Sequence, residues 1–419
     1  MIDSPPPTLE KALTINLDPL KYGTIAEIGA GQEVARWFFQ AGAAAGTIAK
    51  SMSAYDMNFS DQIYGRSPDG RYVSRARLSA MLDQEFKLVV ERLRDHRPET
   101  STFFAFANTV SALGFKKKGE CHGWLGIRFQ NSPGAKPNEI ILHVRLLDDS
   151  NLEQQEALGV LGVNLIYGAY FYSDKPKKLL NSLMDNLRWG RTEIDLAEMS
   201  GPELGQVDNK IMALELVSGS LTRAIMFNPQ EKLVIPADVL YRHGIIMKRL
   251  SLEDNFQETL RTIKAAKGSF VKSYPDLRNT ILIGEITLSR ANEDRSLDTT
   301  ALFSRISELC GAGVHVLVSE FFRYFRVRQY FARYTSEPVA LATNISELEE
   351  VFREEYYKGI PGGVMEGLGQ LFSKQTTAYV FPKPFSGQSV ELANVQISAH
   401  LRPLLDYLVK RGHISLGDG

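Results

Sequence analysis

The chain has 419 residues, 44% of them apolar and 23% charged, and its formal net charge at pH 7 is −1. This composition predicts a globular protein with two or three domains or one large α/β body. The near-neutral charge argues against a general nucleic-acid or anionic-membrane binder, which needs a basic excess on one face. The two cysteines, Cys121 and Cys310, lie far apart without metal-binding spacing, which favours a reducing, cytoplasmic location over a disulfide framework.

The first 20 residues predict a loosely held N-terminal arm, because "SPPP" at residues 4–7 cannot form a helix. They also lack the basic and apolar regions of a secretory signal. The longest apolar run, residues 157–172, would be a helix of about 24 Å, shorter than a hydrocarbon core of about 30 Å. We therefore predict a buried helix there and no membrane span.

Residues 21–190 predict a mixed α+β lobe. Ser74 is a plausible N-cap for the clearest helix, which carries one apolar stripe. Three strand candidates separated by Gly-rich and Pro-rich turns indicate an antiparallel meander. The predicted elements are strands at 24–28, 46–56, 102–110, 122–129 and 139–147, and helices at 32–41, 74–96, 151–171 and 175–187.

Residues 191–419 predict a second lobe with a parallel sheet. Four strand candidates, at 280–286, 315–321, 338–343 and 376–382, are each followed by a helical pattern. Repeated β-then-α units are typical of a doubly wound sheet. The fold class predicted for the whole chain is therefore α/β.

The stretch "TIAEIGAGQEVARWFFQAG" at residues 24–42 predicts a strand, a glycine turn and a helix, the layout of a nucleotide-binding loop. Its "EIGAG" resembles the first motif of S-adenosylmethionine-dependent methyltransferases. That resemblance implies cofactor contacts from Glu27, Gly29 and Gly31, with Asp56 as a ribose-binding acid. Glu33 would place a negative charge beside a pyrophosphate and so disfavours NAD-type cofactors. The alternative is a plain strand-to-helix turn, since two glycines are a weak signal.

The segment "FFRYFRVRQYFARY" at residues 321–334 is rich in aromatic residues and arginines. On a helix, Arg323, Arg326 and Arg333 fall within an arc of roughly 80°. Tyrosine and arginine are enriched at protein–protein interfaces. We therefore predict an interface formed by Arg323, Tyr324, Arg326, Tyr330 and Arg333, with packing inside the domain or binding of an acidic ligand as alternatives.

Four further positions are weaker candidates. Cys121 and His122 are adjacent on a predicted strand, so their side chains point to opposite faces and do not easily form a nucleophile–base pair. Pairing of Cys121 with another histidine stays open as an alternative. Glu285 and Glu320 stand at the carboxyl ends of two predicted parallel strands, the edge where α/β sheets keep their sites.

Four segments, "KYGTIAEIGAGQEVARWFF", "AGTIAKSMSAYDMNFSDQIYG", "ECHGWLGIRFQ" and "LGVNLIYGAYFY", carry a resemblance to an uncharacterised family of bacterial cytosolic proteins. Its members are often labelled TonB-dependent receptor or nicotinamide-nucleotide adenylyltransferase. The residues favour neither label. The first needs about 22 amphipathic strands, and the second needs an HxGH-type phosphate motif that "CHGW" and "RGHIS" do not supply. The resemblance implies a bacterial source and leaves the role open.

Two functions follow as hypotheses. The first is a cytosolic protein that acts through homo-oligomeric assembly, with itself as partner. The second is an enzyme or sensor that binds an adenosine-containing ligand, either a nucleotide or S-adenosylmethionine, at the Gly29–Gly31 turn. The sequence identifies no cofactor, no catalytic residue and no metal ligands, and it predicts no nucleic-acid partner.

Overall fold

The computed structural model describes residues 4–68, 70–114, 120–288, 298–373, 375–382 and 391–417. The chain divides into two compact units, Met1–Thr222 and Arg223–Gly419. Each unit is built on one β-sheet with helices packed against it, which confirms the predicted α/β class.

The strands of the first unit are β1 (Lys21–Ile28), β2 (Ile48–Met52), β3 (Thr102–Ser111), β4 (His122–Phe129), β5 (Asn138–Leu146) and β6 (Thr192–Ser200). They form a single mixed sheet in the order β2-β1-β3-β4-β5-β6. β1 is parallel to both of its neighbours. The pairs β3/β4 and β4/β5 are antiparallel, as the turn signals between the predicted strands indicated. The pair β5/β6 is also antiparallel, and no turn signal predicted it.

The helices of the first unit are α1 (Thr8–Asn16), α2 (Glu33–Ala41), α3 (Met57–Tyr64), α4 (Arg75–Leu93), α5 (Asn151–Phe171), α6 (Pro176–Ser182) and α7 (Asn209–Ser218). α4 packs on β1, β3 and β4, and Ser74 caps it as predicted by accepting a hydrogen bond from the Arg77 N–H. α5 packs on α1, α2 and β4. It contains the long apolar run and is a core helix, and no helix in the described residues has the length and hydropathy of a membrane span.

The N-terminal segment is held more firmly than the sequence indicated. Ala12 and Ile15 on α1 are buried. The Lys11 ammonium is fully buried and donates to Asn164 Oδ1 at 2.8 Å and to Asp185 Oδ2 at 2.6 Å. The helix begins at Thr8, directly after the prolines. Because Ala12 and Ile15 are buried, α1 belongs to the core of the first unit.

The division between the units falls after Thr222, whereas the sequence placed it after residue 190. The reason is β6, which pairs with β5 and completes the first sheet. α7 then packs on β6. Residues 191–222 therefore belong to the first unit.

The strands of the second unit are β7 (Ala224–Phe227), β8 (Leu233–Val234), β9 (Gly244–Leu250), β10 (Thr280–Thr287), β11 (His315–Ser319), β12 (Val339–Asn344), β13 (Thr376–Phe381) and β14 (Ile414–Leu416). They form one sheet in the order β14-β13-β12-β9-β10-β11-β7-β8. β9 to β14 are parallel. β7 is antiparallel to β11, and β8 is antiparallel to β7.

The helices of the second unit are α8 (Pro236–Leu240), α9 (Phe256–Ser273), α10 (Thr299–Gly311), α11 (Tyr324–Ala332), α12 (Ile345–Val351), α13 (Gly363–Leu371) and α14 (Arg402–Lys410). Both faces of the sheet are covered. On β9, Ile246 packs in a cluster with Phe270 of α9, and Met247 belongs to a second cluster with Phe325 of α11. Burial on both faces is the usual state of a parallel sheet, and it confirms the predicted doubly wound lobe.

Candidate functional sites

The glycine turn between β1 and α2 has the predicted backbone shape. Gly29 and Gly31 have positive φ values of 97° and 75°, which favour glycine. A Cβ atom on Gly29 would lie 1.9 Å from the Val110 carbonyl oxygen of β3. The neighbouring strand alone therefore requires glycine at this position, whether or not a ligand binds.

The start of α2 is already occupied by a carboxylate of the same chain. The Glu27 side chain accepts hydrogen bonds from the Val34 and Ala35 N–H groups at 3.2 and 3.0 Å, and from Asn108 Nδ2 at 3.2 Å. It is 1% exposed, and burial raises its pKa to about 7 although these hydrogen bonds act in the opposite direction. The positive end of the helix dipole is thus satisfied from inside the protein.

The other two predicted cofactor contacts also have partners in the chain. The Gly31 N–H donates to the Tyr55 hydroxyl at 2.7 Å. Asp56 is the N-cap of α3 and accepts from the Phe59 N–H at 2.7 Å. Glu27, Gly29 and Gly31 therefore meet at the turn and Asp56 starts the next helix, but each has a structural role. Cofactor binding by these four residues stays a prediction.

The aromatic–arginine segment is largely a core element. Tyr324 and Tyr330 of α11 are each 2% exposed and pack in the core of the second unit. Arg323 is half-buried and donates to the Lys358 carbonyl oxygen at 2.9 Å. Of the five predicted interface residues, Arg326 and Arg333 are exposed. The tyrosines therefore serve packing inside this unit, one of the alternatives that the sequence left open.

The polar crevice in the second unit was missed by the sequence reasoning. It opens at the carboxyl ends of β9 and β12, beside the first turns of α9 and α12. Its wall consists of residues from three strand ends and two helix starts, namely Lys248, Glu253, Asp254, Asn255, Glu258, Thr259, Thr262, Thr343, Asn344, Glu347, Phe381 and Pro382. In the sequence these residues are scattered over more than a hundred positions, and only the strand order brings them together.

The crevice lies where the order of the strands in the sheet changes direction. From β9 the chain proceeds to β10 and β11 in one direction, and then crosses back to β12, β13 and β14 in the other. The sheet thus reverses its winding between β9 and β12. In open α/β sheets, ligands bind outside the carboxyl ends of the strands at such a switch point.

The crevice carries more negative than positive charge. Lys248 forms an ion pair with Glu347, which also takes part in the capping box of α12 with Asn344. Glu253 and Asp254 are exposed in the connection between β9 and α9. That connection contains no glycine, so it lacks the close backbone approach that a bound pyrophosphate requires.

The two carboxylates that the sequence placed at strand ends lie outside this crevice. Glu285 is fully buried and bonds to Arg249 at 2.5 Å and to the Ser319 hydroxyl at 2.6 Å. Glu320 pairs with Arg223. Both are therefore committed to ion pairs. Within the described residues, no three His, Cys, Asp or Glu side chains are arranged to hold a metal ion.

Comparisons with known proteins identify solved structures with only low similarity to this chain. No protein-family profile and no curated protein matches the chain, so nothing supports the labels of the family that the sequence resembles. Among solved structures, the competence/damage-inducible protein CihA from Agrobacterium tumefaciens is similar, with 18% identity and a TM-score of 0.28 over 40% of this chain and 97% of that one.

Two CinA superfamily proteins show a comparable likeness. The one from Enterobacter cloacae has 14% identity and a TM-score of 0.30, over 40% of this chain and 95% of its own. The one from Klebsiella pneumoniae has 10% identity and a TM-score of 0.28, over 39% and 96%. These values are too low to indicate a shared function.

Proposed function

We propose that the second unit binds a small polar ligand in the crevice at the carboxyl ends of β9 and β12. The observation that carries the proposal is the reversal of strand order at this point. The crevice also combines a concave shape with side chains that can form hydrogen bonds from several directions, as small-molecule sites do.

The side chains select the chemical class of the ligand. Glu253, Asp254 and Glu258 line the crevice, and carboxylates accept hydrogen bonds from hydroxyl and amino groups while they repel phosphates. The Lys248 ammonium is already paired with Glu347. The ligand is therefore a sugar, a nucleoside or an amine without a phosphate. An adenosine-containing ligand of this kind fits the crevice chemistry better than it fits the turn at Gly29, where Glu27 fills the helix start.

A thermal-shift screen followed by calorimetric titration tests this proposal. The probes are adenosine, S-adenosylmethionine, ribose and spermidine, with ATP and NAD as phosphate-bearing comparisons. We expect at least one phosphate-free probe to raise the Tm, and we expect Glu253→Lys to weaken its binding at least tenfold. The matched control is Asp406→Lys, because Asp406 is an exposed acid on α14 outside the crevice. A flat screen, equal effects of both variants, or a preference for ATP or NAD would refute the proposal.

We propose homo-oligomeric assembly as a second function, now supported by a different surface. Tyr55, Met57 and Phe59 at the start of α3 are all more than half exposed. Large apolar side chains exposed to this degree are the kind of surface that protein–protein contacts cover. Arg326 and Arg333 remain a second, polar candidate surface.

Light scattering after size-exclusion chromatography tests the assembly proposal. We expect a defined multimer that the double substitution of Met57 and Phe59 by glutamate converts to a monomer. Leu152→Glu is the matched control, since Leu152 is an equally exposed apolar residue at the start of α5. A monomeric wild-type protein at micromolar concentration would rule out assembly through this surface.

A further inference from the structure

A separate cavity lies on the first sheet, between the edge strand β2 and helix α4, and we call it the β2–α4 pocket. Its volume is about 330 Å³, within the usual range of ligand pockets, roughly 300–1,000 Å³. β2 is the outermost strand of its sheet, and α4 packs mainly on β3, β4 and β1. The helix therefore leaves part of β2 uncovered, and the pocket occupies the space beside it.

One side of α4 forms a wall of the pocket. Glu85, Leu88, Val89 and Arg92 all line it, and residues at this spacing lie on the same side of a helix. Leu93 of α4 also lines the pocket. The wall is thus apolar in its middle, with a carboxylate at one end and a guanidinium two turns further along the helix.

The carboxylate at the first end has all its partners inside the protein. Glu85 is 1% exposed, and its Oε2 atom lies 2.6 Å from the Lys50 ammonium of β2. The Tyr64 hydroxyl donates to Glu85 Oε1 at 2.9 Å, and the Thr24 hydroxyl lies 3.3 Å from Oε2. Both the charge and the hydrogen bonds of this buried group are therefore satisfied without a ligand.

The guanidinium at the other end is not matched in this way. Arg92 is exposed, and within the described part of the chain it forms no hydrogen bond or ion pair. Its neighbour Glu91 pairs with Lys87 at 3.7 Å. Because Lys50 and Glu85 neutralise each other, Arg92 leaves the pocket lining with a net charge of +1, which a ligand with one negative charge balances.

We propose that the β2–α4 pocket binds a small monocarboxylic acid with an apolar chain, of the size of a medium-chain fatty acid. The carboxylate pairs with the Arg92 guanidinium, which can bind both of its oxygens. The chain lies against Leu88, Val89 and Leu93, and its removal from water provides most of the affinity. This site lies in the first unit and does not depend on ligand binding in the second.

Calorimetric titration of the full chain with octanoate at pH 7 tests the ligand class, with butyrate, octylamine and octyl phosphate as comparisons. We expect octanoate to bind at least tenfold more tightly than butyrate, because the longer chain buries four more methylenes. We also expect it to bind at least tenfold more tightly than octylamine, whose charge is repelled by Arg92. No binding of octanoate, or binding of octylamine or octyl phosphate as tight as that of octanoate, would overturn the proposal.

The substitution Arg92→Glu tests the site itself by reversing the charge at its exposed end. The proposal expects octanoate to bind at least tenfold more weakly and octylamine to bind more tightly than to the wild type. Arg94→Glu is the matched control, since Arg94 is exposed and lies outside the pocket. Equal effects of the two variants would show attraction by the general surface charge and would overturn the assignment of Arg92.

The substitution Leu88→Trp tests the apolar wall without a change in charge. The larger side chain fills the pocket at a half-buried position, so binding of octanoate should be lost while urea unfolding shows a folded protein. Leu152→Trp, at an exposed position of the same unit, should bind octanoate as the wild type does. Retained binding by folded Leu88→Trp would place the fatty acid elsewhere on the protein and would overturn the proposal.

Discussion

Replacement of Glu27 by glutamine should remove a pH dependence of stability that the buried carboxyl creates. Burial raises the Glu27 pKa from 4.5 to about 7 in the folded protein, so between these values the folded state binds more protons than the unfolded state. Stability therefore falls as pH rises through this window. At 1.36 kcal/mol per pKa unit, the loss between pH 5 and pH 8 is about 2.5 kcal/mol.

Urea unfolding at half-unit pH intervals measures this effect. The difference in unfolding free energy between wild type and Glu27→Gln should shift by about 2.5 kcal/mol in favour of the variant between pH 5 and pH 8. The absolute stability of the variant is less informative, because an amide offers the Val34 and Ala35 N–H groups only one acceptor oxygen. Glu99→Gln, at an exposed position, should show no such shift. Parallel pH profiles for wild type and Glu27→Gln would refute the reasoning.

Two further substitutions, each with a control variant, test which interactions stabilise each unit internally. Gly29→Ala should destabilise the protein by about 3–5 kcal/mol, because backbone strain at a positive φ and a 1.9 Å approach to the Val110 carbonyl oxygen combine. Gly42→Ala, with a similar φ and open space around it, should cost less in the same urea assay, about 1–3 kcal/mol from backbone strain alone. Arg249→Met should cost about 3–5 kcal/mol because it leaves Glu285 buried without its partner, whereas breaking the exposed pair of Arg223 with Arg223→Ala should cost less than about 1 kcal/mol. Equal losses within either pair of variants would contradict the corresponding argument.

The regular elements of the fold were predictable because their signals are local. The helix from Arg75 to Leu93 has an apolar stripe and an N-cap serine, and the parallel strands alternate with helical patterns along the chain. The docking of α1 was not predictable in this way. It depends on Lys11 meeting Asn164 and Asp185, which are more than 150 positions away in the sequence.

The candidate sites were harder to predict for the same reason. The crevice exists because β12 lies next to β9, and strand order leaves no trace in hydropathy or spacing. His143 forms hydrogen bonds with both His122 and Asp195, and this arrangement depends on a register shift of one residue between β5 and β6. In contrast, "EIGAG" predicted the turn between β1 and α2 correctly, because that signal is local. The sequence did not reveal that Glu27 of the same motif accepts the hydrogen bonds from the first turn of α2.

The assignment of β6 to the first sheet determines how the protein can be divided for separate expression. A fragment that stopped at residue 190 would leave the whole of β5 as an unprotected sheet edge, with Ile140, Leu142 and Val144 deprived of their neighbours on that side. Such edges recruit strands from other molecules and lead to aggregation. A first unit prepared alone should therefore extend to Thr222, and insolubility of a shorter fragment would reflect the missing strand.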